Sequence, residues 1–247
     1  MQPVDVALDA ALLVMQNGGS TVAAVRSFEN ILKAYKKSGV SAVWRLDFIA
    51  ATGVGEGPSS TFLRPVGPIG VNLSRASEVA VLAERAARGE IATAALAAEL
   101  ERIRKLPSPY SRWVMMAAAA CTAACFSQIP GGDWGSFGIA FVAAGIGQFV
   151  RSRLQTRKLA VAPVTLVCGI ISAVIASIGL RMGHSQAAPA TLMASVIYMV
   201  PGLPLINGFM DLVSYRYLFI GMERIFNAAF LFLILTIAIA FASTLVL

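Results

Sequence analysis

Pro201-Gly202-Leu203-Pro204-Leu205-Ile206-Asn207 interrupts a string of apolar stretches that run from Trp113 to Leu247, parted only by short polar loops. Apolar runs of this length bury themselves in lipid, where each backbone amide must find a partner within its own helix. Proline and glycine at that depth break the rule locally. They are tolerated only where the backbone lines a cavity or is packed in protein. The stretch therefore predicts a membrane protein with a broken span, read first as part of a transporter.

Composition points the same way. Hydrophobic residues make up 57% and charged residues 13%, against roughly 25% charged in an average soluble domain. The charges are unevenly placed: 13 of the 20 Lys and Arg and 10 of the 13 acids lie at or before Arg112, leaving 7 bases and 3 acids for the rest. That split predicts a soluble first half, residues 1–110, and a membrane half, residues 111–247. The net charge of +7 does not indicate nucleic acid, because the bases alternate with acids or sit beside spans, and no basic stripe carries interleaved aromatics. Asp5 and Asp9 stand where a signal peptide would be positive, and no small-residue cleavage site follows Ala10 to Met15. Cys121, Cys125 and Cys168 lack a neighbouring His or acid, so they read as small packing residues and no metal is expected.

The first half reads as a small α+β domain. Helical periodicity from Val4 to Lys37 is cut at Gly18-Gly19, after which Ser20 or Thr21 suits an N-cap. Val43 to Val54 alternates like a strand, Gly55 to Ser59 supplies a turn, and Thr61 to Val66 pairs back. Two further helices are predicted over Leu73 to Arg88 and Ala92 to Lys105. Chemistry is not expected here: no His precedes residue 184, no Cys precedes 121, and no nucleotide-type glycine loop appears. Glu29, Asp47 and Glu56 read as scattered surface acids, so neither catalytic residues nor a cofactor are assigned.

In the second half five spans are drawn, at about 113–129, 134–150, 159–180, 188–206 and 225–247. The expected fold is thus mixed: a small cytoplasmic α+β domain followed by an all-α membrane bundle of five transmembrane helices. Lys105 and Arg112, then Arg151, Arg153, Arg157 and Lys158, then Arg216 and Arg224, collect on one side. Bases accumulate on the cytoplasmic face, which places the N-terminal domain inside. Gly169, Ala173 and Ser177 recur every fourth residue, and Gly138, Ala144, Gly145 and Gly147 crowd the second span. Such rows suit tight packing within one bundle or an interface with another chain, including a second copy.

The sharpest site expectation lies between Pro201 and Tyr217. Pro201 and Pro204 each remove a donor, which frees carbonyls near Ile197 and Val200. Gly202 and Gly208 permit unusual angles and close approach, and Asn207 offers both donor and acceptor. Broken helices in transporters aim such groups at polar substrates or coupling ions. Asp211 is the acid nearest the break and the candidate proton carrier. The alternative places Asp211 and Glu223 in a cytoplasmic loop, paired with Arg216 and Arg224. His184 reads as a solvated residue of the outer loop.

The run Pro201-Gly202-Leu203-Pro204-Leu205-Ile206-Asn207-Gly208-Phe209-Met210-Asp211-Leu212 resembles the hallmark of the threonine/serine exporter family, in its N-terminal or large-subunit half. Gly19-Ser20-Thr21 with Arg26 and Glu29, Gly70-Val71-Asn72-Leu73-Ser74-Arg75, and Ile103 with Tyr110 and Trp113 follow in matching order. The resemblance implies a cytoplasmic N-terminal domain, a five-span unit in the bacterial inner membrane, and export of threonine, serine or a dicarboxylate such as succinate on the proton gradient. Fused exporters continue into a second set of spans, whereas this sequence stops at Leu247, so the two-gene form with a smaller membrane partner is implied. The resemblance also suggests a hydrolase-like first domain, for which no residues speak. The competing readings are a membrane scaffold or sensor and a membrane-anchored cytoplasmic hydrolase.

Overall fold

Pro3 opens helix α1 (Pro3–Gln16), a position where a missing N–H deprives no carbonyl of its partner. The computed structural model describes residues 2–53, 60–157 and 159–246. The expected turn Gly55 to Ser59 with Glu56, the strand end at Val54, Lys158 and Leu247 lie outside the described residues. Helix α1 is buried almost all round, from Val4 to Met15, which makes it a core helix. Large side chains such as Leu8 and Met15, withdrawn from water, contribute roughly 1.5–3 kcal/mol each.

Helix α1 packs against α2 (Thr21–Ala34), α3 (Leu73–Ala87) and α4 (Thr93–Lys105). A three-stranded antiparallel sheet, β1 (Val40–Trp44), β2 (Phe48–Gly53) and β3 (Ser60–Pro65), runs in the order β1-β2-β3. Ala51 pairs with Ala42 on one side and Phe62 on the other, and Ile49 and Ala51 turn into the core beside α1. The single strand expected over Val43 to Val54 is in fact parts of two. Arg45 to Asp47 turns the chain, with the Arg45 amide donating to the Phe48 carbonyl at 3.1 Å. Trp44 and Leu46 continue the apolar alternation through that turn, which hid it. The turn is tied by the Leu46 amide donating to Glu223 at 3.2 Å and by the ion pair between Arg45 and Glu223.

The remaining helices are α5 (Arg112–Gln128), α6 (Trp134–Gln155), α7 (Val161–Arg181), α8 (Ala188–Ser195) with a 3-10 turn at Ile197–Met199, α9 (Gly202–Val213) and α10 (Leu218–Val246). The chain divides into two units, Met1–Pro109 with Gly202–Phe226, and Tyr110–Pro201 with Asn227–Leu247. The second unit is packed through small residues: Ala120, Ala123 and Ala124 of α5, Ala140, Ala143 and Ala144 of α6, and Ser172, Ala173 and Ala176 of α7 are all buried. Gly169 faces Ala238, whose Cβ lies 3.0 Å from where a glycine Cβ would stand, so this row closes α7 onto α10. Gly138 faces open space. Cys168 packs inside, whereas Cys121 and Cys125 are exposed, contrary to the packing expected of all three.

Among the described residues α7 and α10 are long and apolar enough to cross a membrane, and the pair Ala188–Met199 and Gly202–Val213 passes together as a broken third. Two predicted boundaries move, besides that of the fourth span, which is drawn to 206 and whose last helix runs to Val213. Helix α6 runs on to Gln155 and takes up Arg151 and Arg153, while α10 begins at Leu218 and takes up Glu223 and Arg224. Intrahelical bonding carries the helix past the apolar run in both cases, because straight-chain charged residues are good helix formers.

Candidate functional site

Gly18 and Gly19 set the first edge of the site. Gly18 takes φ +84°, the Gly18 amide donates to the Met15 carbonyl, and the Gly19 amide reaches back to Val14 at 2.9 Å. This closes α1 with the two-bond motif that a left-handed glycine permits. A Cβ on Gly19 would stand 2.8 Å from the Val14 carbonyl oxygen, so a side chain is excluded. Ser20 caps α2 by accepting from the Ala23 amide at 3.2 Å. Thr21, one residue on, is fully buried and points its hydroxyl elsewhere.

That hydroxyl donates to Asp211 Oδ2 at 2.7 Å and accepts from Arg224 Nη2 at 3.3 Å. Arg224 Nε lies 3.3 Å from the same carboxylate oxygen. Asp211 is 0% and Arg224 6% exposed, so the charges face each other out of water. The set is only half satisfied: among the described residues Asp211 Oδ1 and Arg224 Nε have no hydrogen-bond partner. Asn207, one turn before Asp211, donates to the Gly18 carbonyl at 3.1 Å. Two glycines make room for this crossing. A Cβ on Gly208 would lie 3.0 Å from Ile225, and one on Gly221 would lie 2.9 Å from the Gly208 carbonyl.

Helix α9 is inside out. Asn207, Gly208 and Asp211 are buried, while Ile206, Phe209, Met210 and Val213 are exposed. A polar face turned inward under an apolar outer face suits lipid or protein outside, not water.

The expected site residues are placed as follows. Pro201 is buried at the junction before α9, and Gly202 opens the helix with no neighbour near its Cβ position and no left-handed φ. Pro204 sits in the first turn of α9, where its lost N–H has no intrahelical role. The Ile197 carbonyl, expected to be free, accepts from the Val200 amide at 3.0 Å in the 3-10 turn. The break lies at Pro201, before which Val200 takes the extended angles φ −59° and ψ 127° that a following proline favours, and Pro204 does not break anything. Asn207, Gly208 and Asp211 do come together, with Thr21 and Gly221 as members that sequence reasoning missed and Arg224 as the cation that the loop alternative offers. Asp211 is in a helix and not in a loop, and its cation is Arg224. Glu223 pairs with Arg45, and Arg216 only approaches Glu29, at 4.0 Å. The signals for Arg224 were its place at the head of a long apolar run and its charge, opposite to that of Asp211.

A second polar group lies inside the other unit. Ser172 Oγ donates to the Ala143 carbonyl at 3.1 Å and so accepts from the Tyr198 hydroxyl at 3.0 Å. Arg151 donates to the Tyr198 carbonyl at 3.1 Å. Gly147 gives them space, since its Cβ would stand 2.0 Å from the Tyr198 hydroxyl. In the α5–α6 loop, Asp133 accepts from the amides of Gln186 at 2.9 Å and Ser136 at 2.6 Å, which hold its carboxyl down at about 2. His184 is exposed, as expected, and its carbonyl passes against Gly135. Among the described residues no cluster of His, Cys, Asp or Glu has the arrangement to hold a metal ion.

A family model for threonine/serine exporters matches residues 5–246. A protein of Klebsiella aerogenes named "Probable succinate transporter subunit YjjP" is 23% identical over 96% of this chain and 91% of its own length. Its Escherichia coli namesake is 23% identical over 96% and 92%. A Mycobacterium tuberculosis protein named "Probable threonine/serine exporter" is 23% identical over 92% of this chain and 43% of its own length. No solved structure matches.

Proposed function

The chain belongs to the threonine/serine exporter family, and from that premise we propose that it is one subunit of a proton-driven exporter of small polar metabolites. The observation that carries this reading is the buried, half-satisfied set of Asp211, Arg224 and Thr21, whose acid stands on the helix that restarts after Pro201. Ionised groups shut away beneath an apolar exterior are expensive, and in membrane proteins they mark pathways and couplings. The substrate path is assigned to Pro201, Gly202, Pro204, Asn207 and Gly208, with Asn207 as hydrogen-bond partner and Asp211 as the proton-coupling residue. The apolar runs support the five spans drawn in the bacterial inner membrane, and the side on which Lys and Arg collect supports residues 1–110 in the cytoplasm. A smaller membrane partner is inferred from the relatives named as transporter subunits. The substrate is threonine or serine, or a dicarboxylate such as succinate, the two classes that the relatives' names supply.

Efflux tests this reading. Cells lacking their own exporters carry the chain with and without a small membrane partner of the same family and are preloaded with threonine, serine or succinate. Export that needs both chains and stops when the proton gradient is collapsed is the expected result. Export by the chain alone removes the partner, and export indifferent to an uncoupler removes the proton. No export of any of the three, with the protein verified in the membrane, removes the reading.

A further inference from the structure

We infer that Arg224 is a carboxylate-binding residue whose seat is occupied in this structure by the protein's own Asp211. The inference rests on the exporter reading for its site and deepens it by naming the recognised group. An arginine guanidinium is a planar fork of donors that fits the two oxygens of a carboxylate in parallel, and that bidentate form is the strong one. Asp211 does not use it. Only Oδ2 faces the guanidinium, 3.3 Å from Nε, while Nη2 goes to Thr21 and Oδ1 goes unmatched. The short bond of Asp211 is to the Thr21 hydroxyl, at 2.7 Å, and not to the cation. A purely structural buried pair needs full bonding to offset the loss of water around both charges. This one leaves the fork open.

The described surroundings leave Arg224 no other anion. Glu223, its neighbour on α10, is turned to Arg45 and the Leu46 amide, and among the described residues Asp211 is the single acid paired with Arg224. With Arg224 6% and Asp211 0% exposed, the carboxylate that faces the guanidinium is already that of Asp211. A ligand acid must therefore displace Asp211, not add to it. Gly208 and Gly221 let the Asp211 backbone lie directly against α10, so the pair is held by close approach of two helices and opens when α9 shifts. Threonine, serine and dicarboxylates all present the required group, and their amides present one acceptor where the acid presents two.

Displacement makes a prediction opposite to that of ordinary site removal: taking the charge off Asp211 strengthens binding. The full chain, purified in nanodiscs, is titrated with succinate against succinamide and with threonine against threoninamide. Asp211→Asn is expected to bind the acids about tenfold more tightly than the unaltered chain, with the amides bound weakly by both. The double variant Asp211→Asn with Arg224→Gln has no unpaired buried charge and serves as the folded control, checked by thermal unfolding; it is expected to lose acid binding. Arg224→Lys, which keeps the charge without the fork, is expected to fall between. Weaker acid binding by Asp211→Asn, equal binding of acids and amides, or no acid binding by either form overturns the inference. The outcomes separate from those of the exporter reading. Efflux by the unaltered chain without a gain in Asp211→Asn sinks the inference alone, and a gain without efflux in any pairing sinks the exporter reading alone.

Discussion

The two units both hide polar groups, and they do so in different ways. In the second unit the Tyr198 and Ser172 hydroxyls and the Ala143 carbonyl form a neutral chain in which each donor has an acceptor, fitted around Gly147, with the Arg151 cation bonded beside it to the Tyr198 carbonyl and no acid in the group. In the first unit Thr21, Asp211 and Arg224 bring opposite charges together and leave one acceptor and one donor unmatched. Satisfied neutral hydroxyls are an inexpensive way to lock helices. Half-satisfied ions are a costly one, kept where the charge itself has work. Under the proposed function, the first kind of group serves packing and the second serves transport.

The largest expected effect comes from breaking the charged set. Arg224→Ala strands Asp211 without a cation and is expected to lower stability by ~3–5 kcal/mol, seen in unfolding of the purified protein, and to stop efflux. Adding Asp211→Asn should restore most of the stability but not the efflux. A double variant that exports normally would reduce the ion pair to packing. Next, Gly147→Ala drives a methyl into the Tyr198 hydroxyl and Ser172, 2.0 and 2.1 Å away. Overpacking of that kind costs about 1–3 kcal/mol, with efflux per folded molecule unchanged. Tyr198→Phe removes one neutral hydrogen bond, at about 1 kcal/mol, again without loss of transport. If efflux drops more than tenfold while the variant reaches the membrane in normal amount, the neutral group is functional too and the contrast fails.

The smallest effect is a loop tie outside both groups. The Asp133 carboxyl titrates at about 2 instead of the usual 3.8, through amides of Gln186 and Ser136. A depressed folded value means the stabilisation is complete above 3.8 and is lost as pH falls through about 2. The difference in melting temperature between the unaltered protein and Asp133→Ala should hold steady from neutral pH to about 4 and shrink below it. A difference that widens on acidification contradicts this assignment.

Much of the local structure was legible. Gly18-Gly19 and Ser20 end one helix and start the next because their effects are short-range: a left-handed angle, a capping oxygen. The helices over residues 73–87 and 93–105 follow from periodicity alone. The missed turn at Arg45 to Asp47 lacks Gly, Pro or Asn-Gly and is held from afar by Glu223, so nothing local announced it. Pro204 misled for a related reason. A proline breaks a helix interior but is harmless in a first turn, and which it occupies depends on where the helix restarts.

By itself the sequence determined a membrane protein of this family, with helices interrupted before residue 202 and an acid at 211, because hydropathy, proline and glycine act within one or two turns. Only the tertiary structure decided what that acid faces. Thr21 and Arg224 stand 190 and 13 residues from Asp211 along the chain, and no periodicity links them. They meet because Gly208 and Gly221 let two helices touch backbone to backbone, and because a buried charge must find its opposite wherever the fold can bring it.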